Sequence, residues 1–160
     1  MDRRSFLKNS TVGVGATAAA ATLAAPAYAQ GKRTLTMVTS VPEGFAVFDD
    51  AAQNFADRVN AMTDGQLTID KKPAGTLVGA FEVFDAVSAG QADLYHSAEY
   101  YFGGQHPGFN YFTCVPFGMT GPETMAWYYH NGGQELHAEL GSIFNLRPFL
   151  AGNTGHQPGG

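Results

Sequence analysis

The stretch LTMVTSVPEGFAVFDDAAQNFADRVNAMTDGQLTID, residues 35–70, decides the fold class. Leu35-Thr36-Met37-Val38-Thr39 is a short β-prone run that ends in the turn-like Ser40-Val41-Pro42-Glu43-Gly44. From Phe48 the apolar side chains fall at Phe48, Ala51, Ala52, Phe55, Val59 and Met62, the spacing of an amphipathic helix that stops near Asp64-Gly65. Asp49, Asp50, Asp57 and Arg58 are then expected on its wet side, as a solvated face and not an acid/base pair. Leu67-Thr68-Ile69-Asp70 follows the tight Asp-Gly turn as a second strand.

Outward from this unit the alternation continues. A second helix is expected from about Ala80 to Ala89, with Phe81, Phe84 and Val87 on one face and Gly90 as its stop. Ala92–Ala98 reads as a third strand. Strands alternating with helices argue for βαβ units and an α/β class with a mainly parallel sheet. Ligands in such sheets sit beyond the carboxyl ends of the strands, which directs attention to the loops after Thr39, Lys72 and Ser97. Glu99–Pro116 is aromatic and Gly-rich, too irregular for a simple helix or strand. Helical character returns through Met125–Tyr129, breaks at Gly132-Gly133 and resumes in Glu135–Phe144, with Leu136, Leu140 and Ile143 in period. Leu146–Leu150 is expected as an edge strand, the place where Pro148 is tolerated.

At the other end, Arg3-Arg4-Ser5-Phe6-Leu7-Lys8, an apolar run from about Val12 to Ala25, and Ala27-Tyr28-Ala29 spell an export signal, residues 1–29, of twin-arginine type. The apolar run is short for a membrane anchor, and Sec export of the same peptide stays open. Cleavage after Ala29 places the protein in the periplasm. It removes Arg3, Arg4 and Lys8 but only Asp2, taking the net charge from −5 to −7. An acidic chain of this kind is a poor match for nucleic acid or anionic membrane surfaces. Cys114 is the single cysteine, so no intrachain disulfide forms. Its apolar setting reads as an inert buried thiol ahead of a nucleophile.

The five histidines, His96, His106, His130, His137 and His156, form no metal-ligand spacing, and His130 and His137 read as surface residues. No nucleophile elbow, phosphate loop or dinucleotide fingerprint is present. The aromatic cluster from Tyr100 to Phe112 offers apolar walls and hydroxyl donors to a small anion, although the same rings would also fill a core. Asn153 and Gln157 carry amide carbonyls in a Gly-flanked segment, donors suited to Na⁺ or Ca²⁺ and equally at home in a plain loop.

The leader, Asp64-Gly65, Pro73-Ala74-Gly75, His96 to Tyr101, Val115-Pro116-Phe117, Ala126-Trp127-Tyr128, Gly132-Gly133 and above all Gly152-Asn153-Thr154-Gly155-His156-Gln157 together resemble the periplasmic solute-binding subunit of TRAP transporters. The branch that binds 2-oxo acids and other small monocarboxylates is the most similar. The resemblance implies a periplasmic-binding-protein-like fold of two α/β lobes, with a carboxylate held between them and passed to an integral-membrane permease. It implies capture, not catalysis. It places Tyr100, Tyr101, Asn153 and Gln157 at the substrate and gives Gln157 a share in a Na or Ca ion bridged to the carboxylate. A homodimer is compatible with it. Residues 30–151 are then the N-terminal lobe, and 152–160 the start of a crossing segment, with the second lobe and its carboxylate-pairing arginine absent from the chain. Two alternatives stand beside this reading: the binding protein of an ATP-driven importer, and an enzyme exported by the twin-arginine route.

Overall fold

The computed structural model describes residues 31–113 and 115–155. The leader, Cys114 and Gln157 lie outside the described residues. The elements, in chain order, are β1 (Arg33–Thr39), α1 (Phe48–Met62), β2 (Leu67–Lys72), α2 (Val83–Ser88), β3 (Leu94–His96), two 3-10 turns (Glu99–Phe102 and Pro107–Phe112), α3 (Gly121–His130) and α4 (Gly133–Ser142). The three strands form one parallel sheet in the order β2-β1-β3. The expected α/β class and the strand–helix–strand unit at residues 35–70 are therefore present.

Alternate side chains of a strand point to opposite faces, and the register sorts the core accordingly. Leu35, Met37, Ile69 and Leu94 face one way and pack on Ala52, Ala56 and Val59 of α1. Val38 and Tyr95, paired across β1 and β3, face the other way. There they meet a larger core of Val83, Phe84, Ala92, Phe102, Phe109 and Leu140. Phe84 anchors it, with the rings of Phe102, Phe144 and Phe109 at 5.0, 5.3 and 5.4 Å between centroids. Helices thus cover both faces of the sheet. The Asp-Gly turn forms as read: Asp64 and Gly65 both take positive φ, 50° and 71°, and return the chain to β2.

Several expectations change. The buried face of α1 is Asp49, Ala52 and Ala56, while Phe55 and Met62 are exposed. Close approach of the helix to the sheet favours small residues on that face, and it buries Asp49 because a partner awaits it on β2. The second helix is shorter than expected, and Phe81 lies before it and exposed. The third strand keeps only Leu94–His96. On α4, Leu140 is buried but Leu136 and Ile143 are exposed, and His137, expected at the surface, is 2% exposed. Residues 146–150 are not a strand. Pro148 lacks an N–H for a ladder and packs over Gly141, where even a Cβ would stand 2.6 Å from its Cδ. The irregular aromatic stretch resolves into two 3-10 turns, and α3 begins at Gly121 behind a Thr120–Glu123 capping box, with both Thr120 N and Oγ1 donating to Glu123 Oε2 at 2.8 Å.

Candidate functional site

The chain leaves β1 for β2 on one side and later returns past β1 to β3 on the other. In an open parallel sheet this divergence opens a crevice beyond the carboxyl ends of the strands. At those ends Ser40 Oγ donates to Ser97 Oγ at 2.7 Å, and Ser40 N donates to the His96 carbonyl at 3.2 Å, tying the two loops together. Lys71 lies two residues beyond Ile69 on the α1 side of the sheet and pairs with Asp49 in the first turn of α1. Gly44 N donates to the other Asp49 oxygen at 2.9 Å. The Lys71 ammonium and the Gly44 amide hold the Asp49 carboxyl below its usual range. Burial holds the His96 imidazole below its own, and its Nδ1 has no partner.

The turn after β3 carries the tyrosines. Tyr100 and Tyr101 sit edge to face at 4.5 Å, with their hydroxyl oxygens 3.5 Å apart. Phe81 packs against Tyr101 at 5.3 Å, so the ring displaced from α2 becomes a wall here. Tyr100 N donates to Thr113 Oγ1 at 3.0 Å. Thr113 in turn lines a cavity of about 220 Å³ together with Phe112, Gly121, Tyr129 and Asn153. The fold therefore brings Tyr100 and Asn153, far apart in sequence, to the surroundings of one residue. Gly121 lets Asn153 approach, since a Cβ there would stand 2.6 Å from Asn153 Nδ2. Asn153 Oδ1 accepts from Gly155 N at 2.7 Å. Gln157 is not among the described residues, so its expected place beside Asn153 is not seen.

Sequence reading missed the buried polar cluster behind the tyrosines. Tyr95 donates to Glu99 Oε1 at 3.1 Å, and His137 Nε2 lies 3.9 Å from the same oxygen. His137 Nδ1 meets the Tyr128 hydroxyl at 3.2 Å, and its ring stacks on Phe112 at 4.1 Å and 10°. Burial pushes the Glu99 carboxyl up to about 6 and the His137 imidazole down to about 4. A signal existed: Gly133, His137, Leu140 and Gly141 form an i, i+4, i+7, i+8 stripe, which puts the histidine on the buried face of α4.

Among the described residues no group of three or more His, Cys, Asp or Glu could hold a metal ion, and no helix is long and apolar enough to cross a membrane. The available donors are hydroxyls and amides beside aromatic walls, groups that hold a small anion or a hard cation.

The described residues form an α/β lobe, with hydroxyl and amide groups on the loops beyond a parallel sheet. Residues 37–155 match the bacterial extracellular solute-binding proteins of family 7, DctP, and the chain belongs to that family. It is 39% identical over 124 residues to a monocarboxylate 2-oxoacid-binding periplasmic protein of Nostoc sp., covering 78% of this chain and 34% of that protein. A TRAP periplasmic solute-binding protein of Colwellia psychrerythraea, solved with calcium and pyruvate, superposes with a TM-score of 0.72 at 35% identity, over 74% of this chain and 36% of the other. A TRAP periplasmic solute-binding protein of Pseudoalteromonas atlantica, solved with sodium and pyruvate, gives 0.69 at 40% identity, over 71% and 34%. The chain thus spans about a third of the length of these relatives.

Proposed function

We propose that this chain supplies the N-terminal lobe of a periplasmic receptor that captures a small carboxylate, a 2-oxo acid or other monocarboxylate, for uptake by a TRAP permease in the inner membrane. The observation that carries the reading is the Tyr100–Tyr101 pair. Two hydroxyls 3.5 Å apart stand at the carboxyl end of the sheet, joined through Thr113 to the cavity that holds Asn153. Hydroxyl and amide donors against aromatic walls suit a compact anion. The 2-oxoacid-binding relative and the two pyruvate-bound relatives support the same ligand class.

The leader is cleaved after Ala29, residues 30–151 form the lobe, and 152–160 begin the segment that crosses to a second one; the receptor assembles as a homodimer. A sodium or calcium ion fits the donor chemistry, because hard cations take neutral amide oxygens and the described residues offer no thiolate or imidazole cluster. Gln157 would hold it, and the ion would supply positive charge to the bound carboxylate. Tyr100 and Tyr101 orient that carboxylate by hydrogen bonds, and Phe81 and Phe112 keep water from it.

Calorimetric titration of the full-length protein with pyruvate tests the reading. Binding is expected, and removing both hydroxyls by Tyr100→Phe with Tyr101→Phe should weaken it about tenfold or more, the worth of hydrogen bonds to a charged group. No heat and no rise in melting temperature with pyruvate or longer 2-oxo acids would overturn it.

A further inference from the structure

We propose that Phe81 selects the tail of the captured acid, so that the site prefers a 2-oxo monocarboxylate with an aliphatic chain to pyruvate and to a dicarboxylate of the same length. The inference rests on the carboxylate reading of the Tyr100–Tyr101 pair and concerns the end of the ligand that the hydroxyls do not hold. Phe81 closes the loop after β2, one of the loops beyond the carboxyl ends of the strands. Its ring stands edge to face with Tyr101, 5.3 Å between centroids. Three residues on, Phe84 packs on Phe102 at 5.0 Å, and both of these rings are buried. The same two segments therefore make two successive ring contacts. The inner one locks α2 to the 3-10 turn, and the outer one stays open, with Phe81 66% and Tyr101 43% exposed.

The loop fixes Phe81 without burying it. Ala74 N donates to the Val41 carbonyl at 3.0 Å, Gly75 N to the Val78 carbonyl at 2.9 Å, and Gly79 N to Glu82 Oε2 at 2.8 Å. Val78 packs against the larger core. A ring already held in place loses little freedom when a ligand packs on it. With the carboxylate at the two hydroxyls, the apolar surface nearest to hand is Phe81 and the ring of Tyr101. Pyruvate has one methyl to lay there, whereas a longer chain covers more of the wall, and each buried methylene is worth about fourfold in affinity. The charged side chains beside this wall are acidic. Glu82 follows Phe81 and Asp85 lies four residues on, and each is held by a neutral donor, Glu82 by Gly79 N and Asp85 by Gln105 Nε2 at 3.3 Å. A second carboxylate at the tail would meet an apolar wall and like charge, and both count against it.

The test is calorimetry of the full-length protein with pyruvate, 2-oxopentanoate and 2-oxoglutarate. 2-Oxopentanoate adds two methylenes to pyruvate and should bind about tenfold more tightly. 2-Oxoglutarate has the same number of carbons but ends in a carboxylate, and it should bind about tenfold or more less tightly than 2-oxopentanoate. Phe81→Ala should weaken pyruvate a little, by admitting water, and 2-oxopentanoate about tenfold further, so that the ratio between the two affinities falls to about one. Phe81→Leu restores an apolar wall and should keep most of that ratio. If Phe81→Ala fails to fold, the three acids on the unaltered protein and on Phe81→Leu still decide. Pyruvate or 2-oxoglutarate bound as tightly as 2-oxopentanoate, or a loss in Phe81→Ala that is equal for pyruvate and 2-oxopentanoate, would overturn the proposal and leave the carboxylate site standing. An absence of heat with every acid in the unaltered protein would overturn the carboxylate reading beneath it.

Discussion

Asp49 is a carboxylate on the sheet-facing side of a helix, where water cannot stabilise it. Its side chain is 9% exposed and that of Lys71 is 11% exposed, so each charge depends on the other and on the Gly44 amide. Breaking a buried pair costs more than the pair is worth, because the survivor stays buried and uncompensated. Asp49→Asn should therefore destabilise the protein by about 3 kcal/mol at pH 7, read by urea denaturation. The sign with pH follows from the direction of the shift. A carboxyl held below its unfolded value of about 3.9 contributes stability above that value and loses it as pH falls through the folded value. The difference between the two proteins should thus be full at pH 7 and fade below about pH 4. An equal difference at pH 7 and pH 3 would place the effect in packing and not in charge.

The α3–α4 corner shows how an element boundary is set by a missing side chain. Gly133 opens α4 directly against α3, where a Cβ would stand 2.7 Å from Tyr128 Cα and 2.9 Å from the Trp127 ring. Backbone cannot move aside as a flexible side chain can, so Gly133→Ala should cost about 1–3 kcal/mol by forcing the helices apart. Because Tyr128 and His137 sit on the two helices, their hydrogen bond should lengthen too. A lowered melting temperature together with a raised His137 pKa, followed by NMR titration, is the expected pair of changes; an unaltered melting temperature would show that the corner has slack. Much at this scale was legible. The strand–helix–strand order, the Asp-Gly turn and the Gly-Gly break between α3 and α4 are written in periodicity and turn chemistry. The faces were less so, since hydrophobicity alone put Phe55 and Met62 inwards. The fold instead chose Ala52, Ala56 and a paired Asp49, a choice that depends on Lys71 arriving from β2. Of the site, Tyr100, Tyr101 and Asn153 were named from their residue types and family resemblance. Glu99 escaped because a buried carboxyl is recognisable only when its partner's position is known, whereas His137 was legible in the buried stripe it shares with Gly133, Leu140 and Gly141.

At the scale of the whole lobe, the apolar surface is uneven. Tyr111, Val115, Phe117, Met119, Tyr129 and Phe149 are all exposed, Phe117 completely so. Val115 and Tyr111 also border an open hollow of about 210 Å³. Single exposed apolar side chains are ordinary, but six of them, two bordering this hollow and Tyr129 lining the cavity with Leu150 and Ala151, leave much apolar surface that water wets poorly. The sheet adds to this. With three strands in the order β2-β1-β3, both outer strands present unpaired backbone among the described residues, and only β2 carries lysines, Lys71 and Lys72, of the kind that discourage edge pairing. Lys71 is turned inwards to Asp49, which leaves Lys72 alone at that edge. Residues 30–160 produced by themselves should therefore self-associate, with a light-scattering mass well above that of one chain and a broad thermal transition. Replacing Phe117 and Phe149 by Ser should lower that mass without lowering the melting temperature, since neither side chain packs in the core. A monodisperse, cooperatively melting 30–160 chain would mean that the lobe shields this face by its own rearrangement, and the exposed aromatic group would lose its meaning as a contact surface.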